Sequence, residues 1–217
     1  MGERRTMDSV LLLQQIQEGI GKGAAASAVA AQPELVNALF EGIGSREASV
    51  KYGCDKVLRL LSREHPSVLY PSVDQFILLL DSENSFLKWG AIDVIAHLAA
   101  VDGDNKCDEL LDHYLAPISG HVLITASNTI KGAALIAQAK PYLTDRVVQK
   151  LLTVEHAEYQ TEECRNIALG QAIIAFDLLY PQMSERPSVV VFVRRQLTNS
   201  RVATRKKAAA FLRKHGE

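Results

Sequence analysis

The chain has 217 residues, 47% of them hydrophobic and 23% charged, with a formal net charge of −1, a balance ordinary for a soluble protein with a real core. Its longest apolar runs, such as residues 76–80 and 189–193, fall far short of the roughly 20 residues a membrane span requires, so no membrane role is expected. Three cysteines, Cys54, Cys107 and Cys164, stand more than fifty residues apart, an odd number and a spacing that argue against a disulfide framework or a zinc knuckle.

The amino terminus reads as a capping helix pair over residues 1–32. Arg4 and Arg5 precede a short apolar run at 10–13, but Gln14, Gln15, Gln17 and Glu18 follow at once. A signal peptide needs a longer apolar stretch, so this is the first amphipathic helix and a cytoplasmic location is expected. Gly19 to Gly23 form a turn, and the Ala-rich segment 24–31 a second helix.

Beyond it, a helical phrase recurs. It reads Lys51, Tyr52, Gly53, Cys54, then Lys88, Trp89, Gly90, Ala91, then Arg165, Asn166, Ile167, Ala168, then Arg205, Lys206, Lys207, Ala208, with intervals of 37, 77 and 40 between its closing small residues. The missing beat falls at 121–138, where Leu123, Ser127, Ile130 and Ala134 continue the pattern with Ile124 in place of the basic residue. A repeat of this length built from helix pairs is a solenoid, in which each unit buries its apolar face only by stacking on its neighbours. First helices (A) are expected at 33–42, 66–80, 106–118, 144–153 and 187–198. Second helices (B) are expected at 46–63, from about Phe86 to the end of the pair 71–101, and at 121–138, 161–180 and 200–214. In the clearest pair, Ser72 and Gln75 make a capping-box pattern. Residues 81–85 break the helix, and Leu87, Ala91, Val94, Ile95 and Leu98 form one apolar stripe. The stripe recurs as Val50, Cys54, Val57, Leu58 and Leu61, which makes Cys54 a buried, inert thiol. It recurs again as Cys164, Ala168, Gln171, Ala172 and Ala175, and as Thr204, Ala208, Phe211 and Leu212. No break in composition marks a linker, so the chain is expected to be one domain of capping pair (1–32), central repeats (33–186) and basic C-terminal capping repeat (187–217).

The pattern resembles HEAT repeats, and less closely the armadillo class, over roughly residues 33–214. Asp81, Leu87, Lys88 and Ala91 match the consensus of an Asp in the turn and an apolar–basic pair before an Ala. Val50, Lys51 and Cys54 match it in part, and Cys164, Arg165 and Ala168 keep only the basic-to-small spacing. The resemblance implies an all-α, right-handed α-α superhelix of about six antiparallel helix pairs, and it leaves function open, because such arrays serve transport, scaffolding and nucleic-acid work alike.

The chemistry-bearing clusters read as structure. Gly19, Gly21, Lys22 and Gly23 lack the spacing, the preceding strand and the Ser/Thr of a phosphate loop. Asp102, Gly103, Asp104, Asn105 and Asp108 do not alternate as a calcium loop requires, and are expected to break the helix, with Asp104 or Asn105 capping the next one. Cys107, Asp112, His113 and His121 match no zinc spacing. The long loop at 154–162, with Glu155, His156, Glu158, Tyr159, Glu162 and Glu163, reads as a solvated insertion or a contact loop. No nucleophile–base arrangement and no paired carboxylates occur, so no enzymatic activity, metal or cofactor is expected.

In HEAT-like solenoids the B helices line the concave face. By that resemblance the outward positions two before each small core residue are Tyr52, Trp89, Thr125, Asn166 and Lys206, followed by Lys56, Arg59, Asp93, Thr129 and Arg213. An exposed Tyr and Trp one repeat apart would anchor a partner. The expected function is therefore a non-catalytic protein–protein interaction scaffold that binds a partner helix or peptide on this face. The alternative is nucleic-acid binding of the HEAT-like DNA glycosylase type through the basic C-terminal repeat, with Arg201, Arg205, Lys207, Arg213 and Lys214 as phosphate contacts. Residues 187–217 carry eight basic residues against the lone Glu217, a net charge of +7, while the preceding 186 residues hold 16 basic and 24 acidic residues, a net charge of −8. An acidic body argues against a phosphate groove, and the asymmetry offers a third reading, a monomer or weak homo-oligomer joined end to body.

Overall fold

Prolines, glycines and turn residues cut this chain into short helices, because each either lacks an amide donor or adopts backbone angles that end an α-helix. In the computed structural model, which describes residues 8–19 and 21–215, the chain is all-α, 82% helical, with no strand among the described residues. Arg4, Arg5 and Glu217 lie outside the described residues. The chain divides into two compact units, Met1–Val101 and Asp102–Glu217.

The first unit holds α1 (Ser9–Gln17), α2 (Lys22–Ala31), α3 (Val36–Ile43), α4 (Ala48–Glu64), α5 (Pro66–Leu69), α6 (Val73–Leu79) and α7 (Ser85–Leu98). Asp8 caps α1, its carboxylate accepting from the Leu11 amide at 2.8 Å, and Gly19 follows it at φ 80°, where a side chain would be strained. Helices α1, α2, α3 and α7 all pack on α4, and α6 packs on α7. The two apolar stripes expected from the repeat, Val50 to Leu61 and Leu87 to Leu98, form the core, with no member more than 9% exposed. Phe40 and Phe76 join α3 to α6 at 5.0 Å between ring centroids. Ser72 makes no capping bond, so the capping box expected there is absent. The chain passes instead through a 3-10 turn, Tyr70–Ser72, which Pro71 favours by removing an amide donor. Asn84 caps α7, accepting from the Phe86 and Leu87 amides at 3.0 and 3.4 Å.

The second unit holds α8 (Lys106–Leu115), α9 (Leu123–Ala139), α10 (Thr144–Leu152), α11 (Glu162–Leu179), α12 (Arg186–Arg195) and α13 (Val202–His215). Within it α9 packs on α8, α10 and α11, while α13 packs on α11 and α12. Phe176 meets Phe192 edge-on at 5.3 Å, and Leu111, Tyr114, Val147 and Leu151 fill the interior at 1% exposure or less. The stripe expected on α9 is met in part: Ile130 and Ala134 are buried at 0% and 3% exposure, while Leu123 and Ser127 are half-buried. Ala126, Thr129 and Ala133, one residue earlier, are each at 0%. The cap of α8 also differs: Asn105 adopts φ 58° and makes no capping bond, and the Asp102 carboxylate accepts from the Lys106 and Cys107 amides, each at 2.9 Å.

Side-chain bonds within each unit recur at a repeat-like separation. Asp93 takes Arg59 and Arg63 across 34 and 30 residues. In the second unit Arg146–Asp112 spans 34, Arg201–Glu163 38, Arg195–Glu155 40 and Lys214–Asp177 37.

Candidate interaction face on α4 and α7

Helix α4 presents Tyr52, Asp55, Lys56, Arg59 and Arg63 on the side that meets α7, and α7 answers with Phe86, Trp89, Asp93 and His97. Four residues singled out by the repeat, Tyr52, Arg59, Trp89 and Asp93, come together here. Tyr52 lies 5.3 Å from Phe86 between ring centroids, and Phe86 lies 5.2 Å from Trp89, both in tilted or edge-on contact. Such pairs are worth about 0.5–1.5 kcal/mol each beyond their buried area. The Tyr52 hydroxyl also accepts from the Asn84 amide at 3.4 Å. Phe86, the middle ring, is 59% exposed, so the row of aromatics is open at its centre. Spacing alone missed Phe86 because it sits in the first turn of α7, outside the recurring phrase. Its position three residues before Trp89 places both on one helix face, and that signal was available.

Beside the rings lies a charged cluster. Arg59 Nε and Arg63 Nη2 donate to the same Asp93 oxygen at 3.0 and 2.7 Å, and His97 Nδ1 donates to the Asp93 carbonyl at 2.7 Å. Asp55 points at Gly90, where an added Cβ would collide with its carboxylate; the glycine makes room for it. Burial, aided by the nearby Asp93 charge and opposed by Arg59 and Lys56, pushes the Asp55 pKa up to about 6. Asp55 has no hydrogen-bond partner among the described residues. Lys56 is exposed one position on.

The remaining sequence-derived positions lie in the second unit and differ among themselves. Thr125 is half-buried on α9, and its neighbour Ile124 is the more exposed at 54%. Thr129 is wholly buried, its hydroxyl without a partner among the described residues. Asn166 is only 5% exposed: its amide donates to Ser200 Oγ at 2.8 Å and accepts from Asn199 at 2.9 Å, while Thr204 donates to its carbonyl at 2.7 Å. Asn166 therefore ties α11 to the turn before α13. Lys206 is exposed on α13.

Of the five candidate phosphate contacts, three are engaged within the unit. Arg201 pairs with Glu163 at 2.7 Å, Lys214 with Asp177 at 2.9 Å, and Arg205 donates to the Asn199 and Ser200 carbonyls at 2.6 and 3.0 Å. Lys207 and Arg213 form no ion pair among the described residues. The acidic loop is likewise tied down: the Tyr159 hydroxyl donates to the Ile118 carbonyl at 2.6 Å, and Glu155 accepts from Arg195 and Gln196 at 2.9 and 3.1 Å. Among the described residues, no group of three or more His, Cys, Asp and Glu side chains is placed to hold a metal ion. Gly21 precedes α2 with no side-chain cap, and Lys22 is the first residue of that helix.

No family model matches the chain, and no curated protein is similar to it. Among solved structures, the crystal structure of an engineered protein from the Northeast Structural Genomics Consortium is similar at a TM-score of 0.55, with 17% identity over 96% of this chain and 92% of that one. At that identity the likeness concerns the fold alone.

Proposed function

We propose that the chain is a non-catalytic protein-interaction module built of HEAT-like helix pairs, a right-handed α-α superhelix of about six such pairs, and that the α4–α7 face grips a helix or extended peptide of a partner protein. The observation that carries the function is the row Tyr52–Phe86–Trp89, exposed at Phe86 and half-buried at Tyr52 and Trp89, flanked by Arg59, Arg63 and Asp93. Aromatic and arginine side chains that are held in place before binding lose little entropy on contact, which is why they dominate interface energetics. The repeat reading is supported by inter-helix bonds at separations of 30 to 41 residues in both units.

The reading is tested with a displayed library of random peptides. Selection is run in parallel on the wild-type chain and on the Phe86→Ala, Trp89→Ala variant, with equal helicity of the two checked by circular dichroism. The reading expects peptides enriched on wild type alone. Equal recovery on both, including none above background, overturns it.

A further inference from the structure

The second unit has its own unsatisfied surface, on residues separate from the face described above. A cleft of about 450 Å³ runs between α11 and α13, lined by Ile173, Ile174, Ala210 and Phe211 and rimmed by Lys207, Arg213 and the Asp177–Lys214 pair. Ile173 and Phe211 form a buried floor at 2% exposure each, while Ile174 is 48% exposed at the mouth. Lys207 leaves α13 and lies against the bare backbone of α11 at Gly170, where an added Cβ would come within 3.3 Å of its ammonium and 2.9 Å of Thr204 Oγ1.

The charges around this cleft do not balance. Glu163 is paired with Arg201, and Asp177 with Lys214 and His215. That leaves Lys207 and Arg213 on α13 at the rim, with Lys131 on α9 near enough for its charge to act on Lys207, none with an ion-pair partner among the described residues. Burial first, then the charges of Arg201 and Lys131, hold the Lys207 pKa below its ordinary value. Cations gathered at a half-buried apolar cleft repel one another until an anion arrives, and the attraction strengthens as water leaves.

We propose that the α11–α13 cleft docks an acidic amphipathic helix of a partner protein, its apolar side chains seated against Ile174 and Ala210 and its carboxylates meeting Lys207 and Arg213. This is the helix-in-groove mode of recognition, with charge setting the choice of partner. A nucleic-acid backbone suits the cleft less well. Duplex binders typically spend about 6–10 cations on phosphates, whereas Arg201, Arg205 and Lys214 are already engaged. The accessible wall, Ile174 and Ala210, is also aliphatic, and the one aromatic ring of the cleft, Phe211, is buried where no base could stack on it.

The test uses three fluorescently labelled probes in anisotropy titrations: a synthetic amphipathic helix with a leucine face and a glutamate face, the same helix with lysine for glutamate, and a DNA duplex. The proposal expects the glutamate helix to bind and the lysine helix not to. Raising the salt should weaken binding, and Lys207→Glu, Arg213→Glu should reduce affinity by about tenfold or more. Both positions have no ion-pair partner to lose, and circular dichroism checks that the fold is kept. Phe86→Ala, Trp89→Ala should leave this binding unchanged, which separates the cleft from the α4–α7 face. No binding of the glutamate helix, equal binding by wild type and the charge-reversed variant, or tighter binding of the duplex overturns the proposal.

Discussion

Lys140 offers the sharpest test of how the second unit holds together. Its ammonium sits among oxygens: the Asp102 carboxylate at 3.0 Å, Asn105 Oδ1 at 2.9 Å, Asp108 Oδ1 at 3.2 Å, the Tyr142 hydroxyl at 3.1 Å and the Asp102 carbonyl at 3.3 Å. The acidic turn before α8, which resembles a cation loop in composition, is thus filled by a cation from the same chain. The side chains of Lys140 and Asp102 are 7% and 1% exposed, so water screens the pair little. Burial works against the lysine's charge, but hydrogen bonds to Tyr142, Asp102 and Asp108 more than offset it and hold its pKa above the ordinary 10.5. A raised lysine pKa contributes stability that is complete below about pH 10.5 and is lost only as pH rises through the folded-state value. The contribution is therefore fully present at pH 7.

Lys140→Met keeps the stem and removes the charge, leaving the buried Asp102 carboxylate without its Lys140 partner. Breaking one side of such a pair costs about 3–5 kcal/mol, which for a chain of this size lowers the melting temperature by about 10 °C. Urea unfolding should show the midpoint fall with little change in slope. The deficit should narrow on acidification, because the stranded carboxylate can then take up a proton. Adding Asp102→Asn to Lys140→Met should cost less than the sum of the single changes. A Lys140→Met variant within about 1 kcal/mol of wild type at pH 7 would refute the buried-pair argument.

Other outcomes follow from the same geometry. Burial, with the charge of Asp55, pushes the Cys54 thiol up to about 11, and burial, with the charge of Asp102, pushes Cys107 up to about 12; at pH 7.5 native-state alkylation read by mass spectrometry should label Cys164 alone, and rapid labelling of all three cysteines contradicts this. Because the folded-state pKa of Asp55 is raised to about 6, the native protein binds more protons than the unfolded chain between about pH 4 and 6, so stability should fall as pH rises through that window. Asp55→Asn should flatten that fall in urea titrations at several pH values, and an unchanged slope counts against the assignment. Thr129→Val removes a buried hydroxyl with no partner among the described residues and should leave stability unchanged or raise it by about 1 kcal/mol; a clear loss would mean the hydroxyl has a partner. Asn166→Ala should cost about 1–3 kcal/mol by stranding Asn199 and Ser200, and the same variant should leave peptide binding by the α4–α7 face untouched.

The helices were legible because their signal is local. Leu87, Ala91, Val94, Ile95 and Leu98 fall at helical intervals, and the turn residues between helices end each one where they stand. Register was less legible where the repeat decays: without a basic residue at 124, α9 offered two apolar stripes, and which residues of each are buried depends on neighbours tens of residues away. Distance in sequence also hid the contacts that matter most. Lys140 lies 38 residues from Asp102, so the acidic turn read only as a helix-breaking cap and not as the seat of a lysine. Asn166 occupied the same phrase as Trp89, yet Asn199 and Ser200 reach across to take its amide. Tyr52 and Trp89 were found as a pair because the repeat aligned them. The ring that joins them, Phe86, has no counterpart in the other copies.

Trp89 is the one tryptophan in the chain, so its emission reports directly on the face proposed to bind. The decisive measurement is a fluorescence titration of the wild-type chain with the peptide enriched by selection, repeated with Phe86→Ala. The account predicts a saturable shift of Trp89 emission in the wild type and an affinity loss of about tenfold or more in the variant, the cost of truncating a central aromatic anchor. Binding that leaves Trp89 emission unchanged, or that is equal in both proteins, would contradict it.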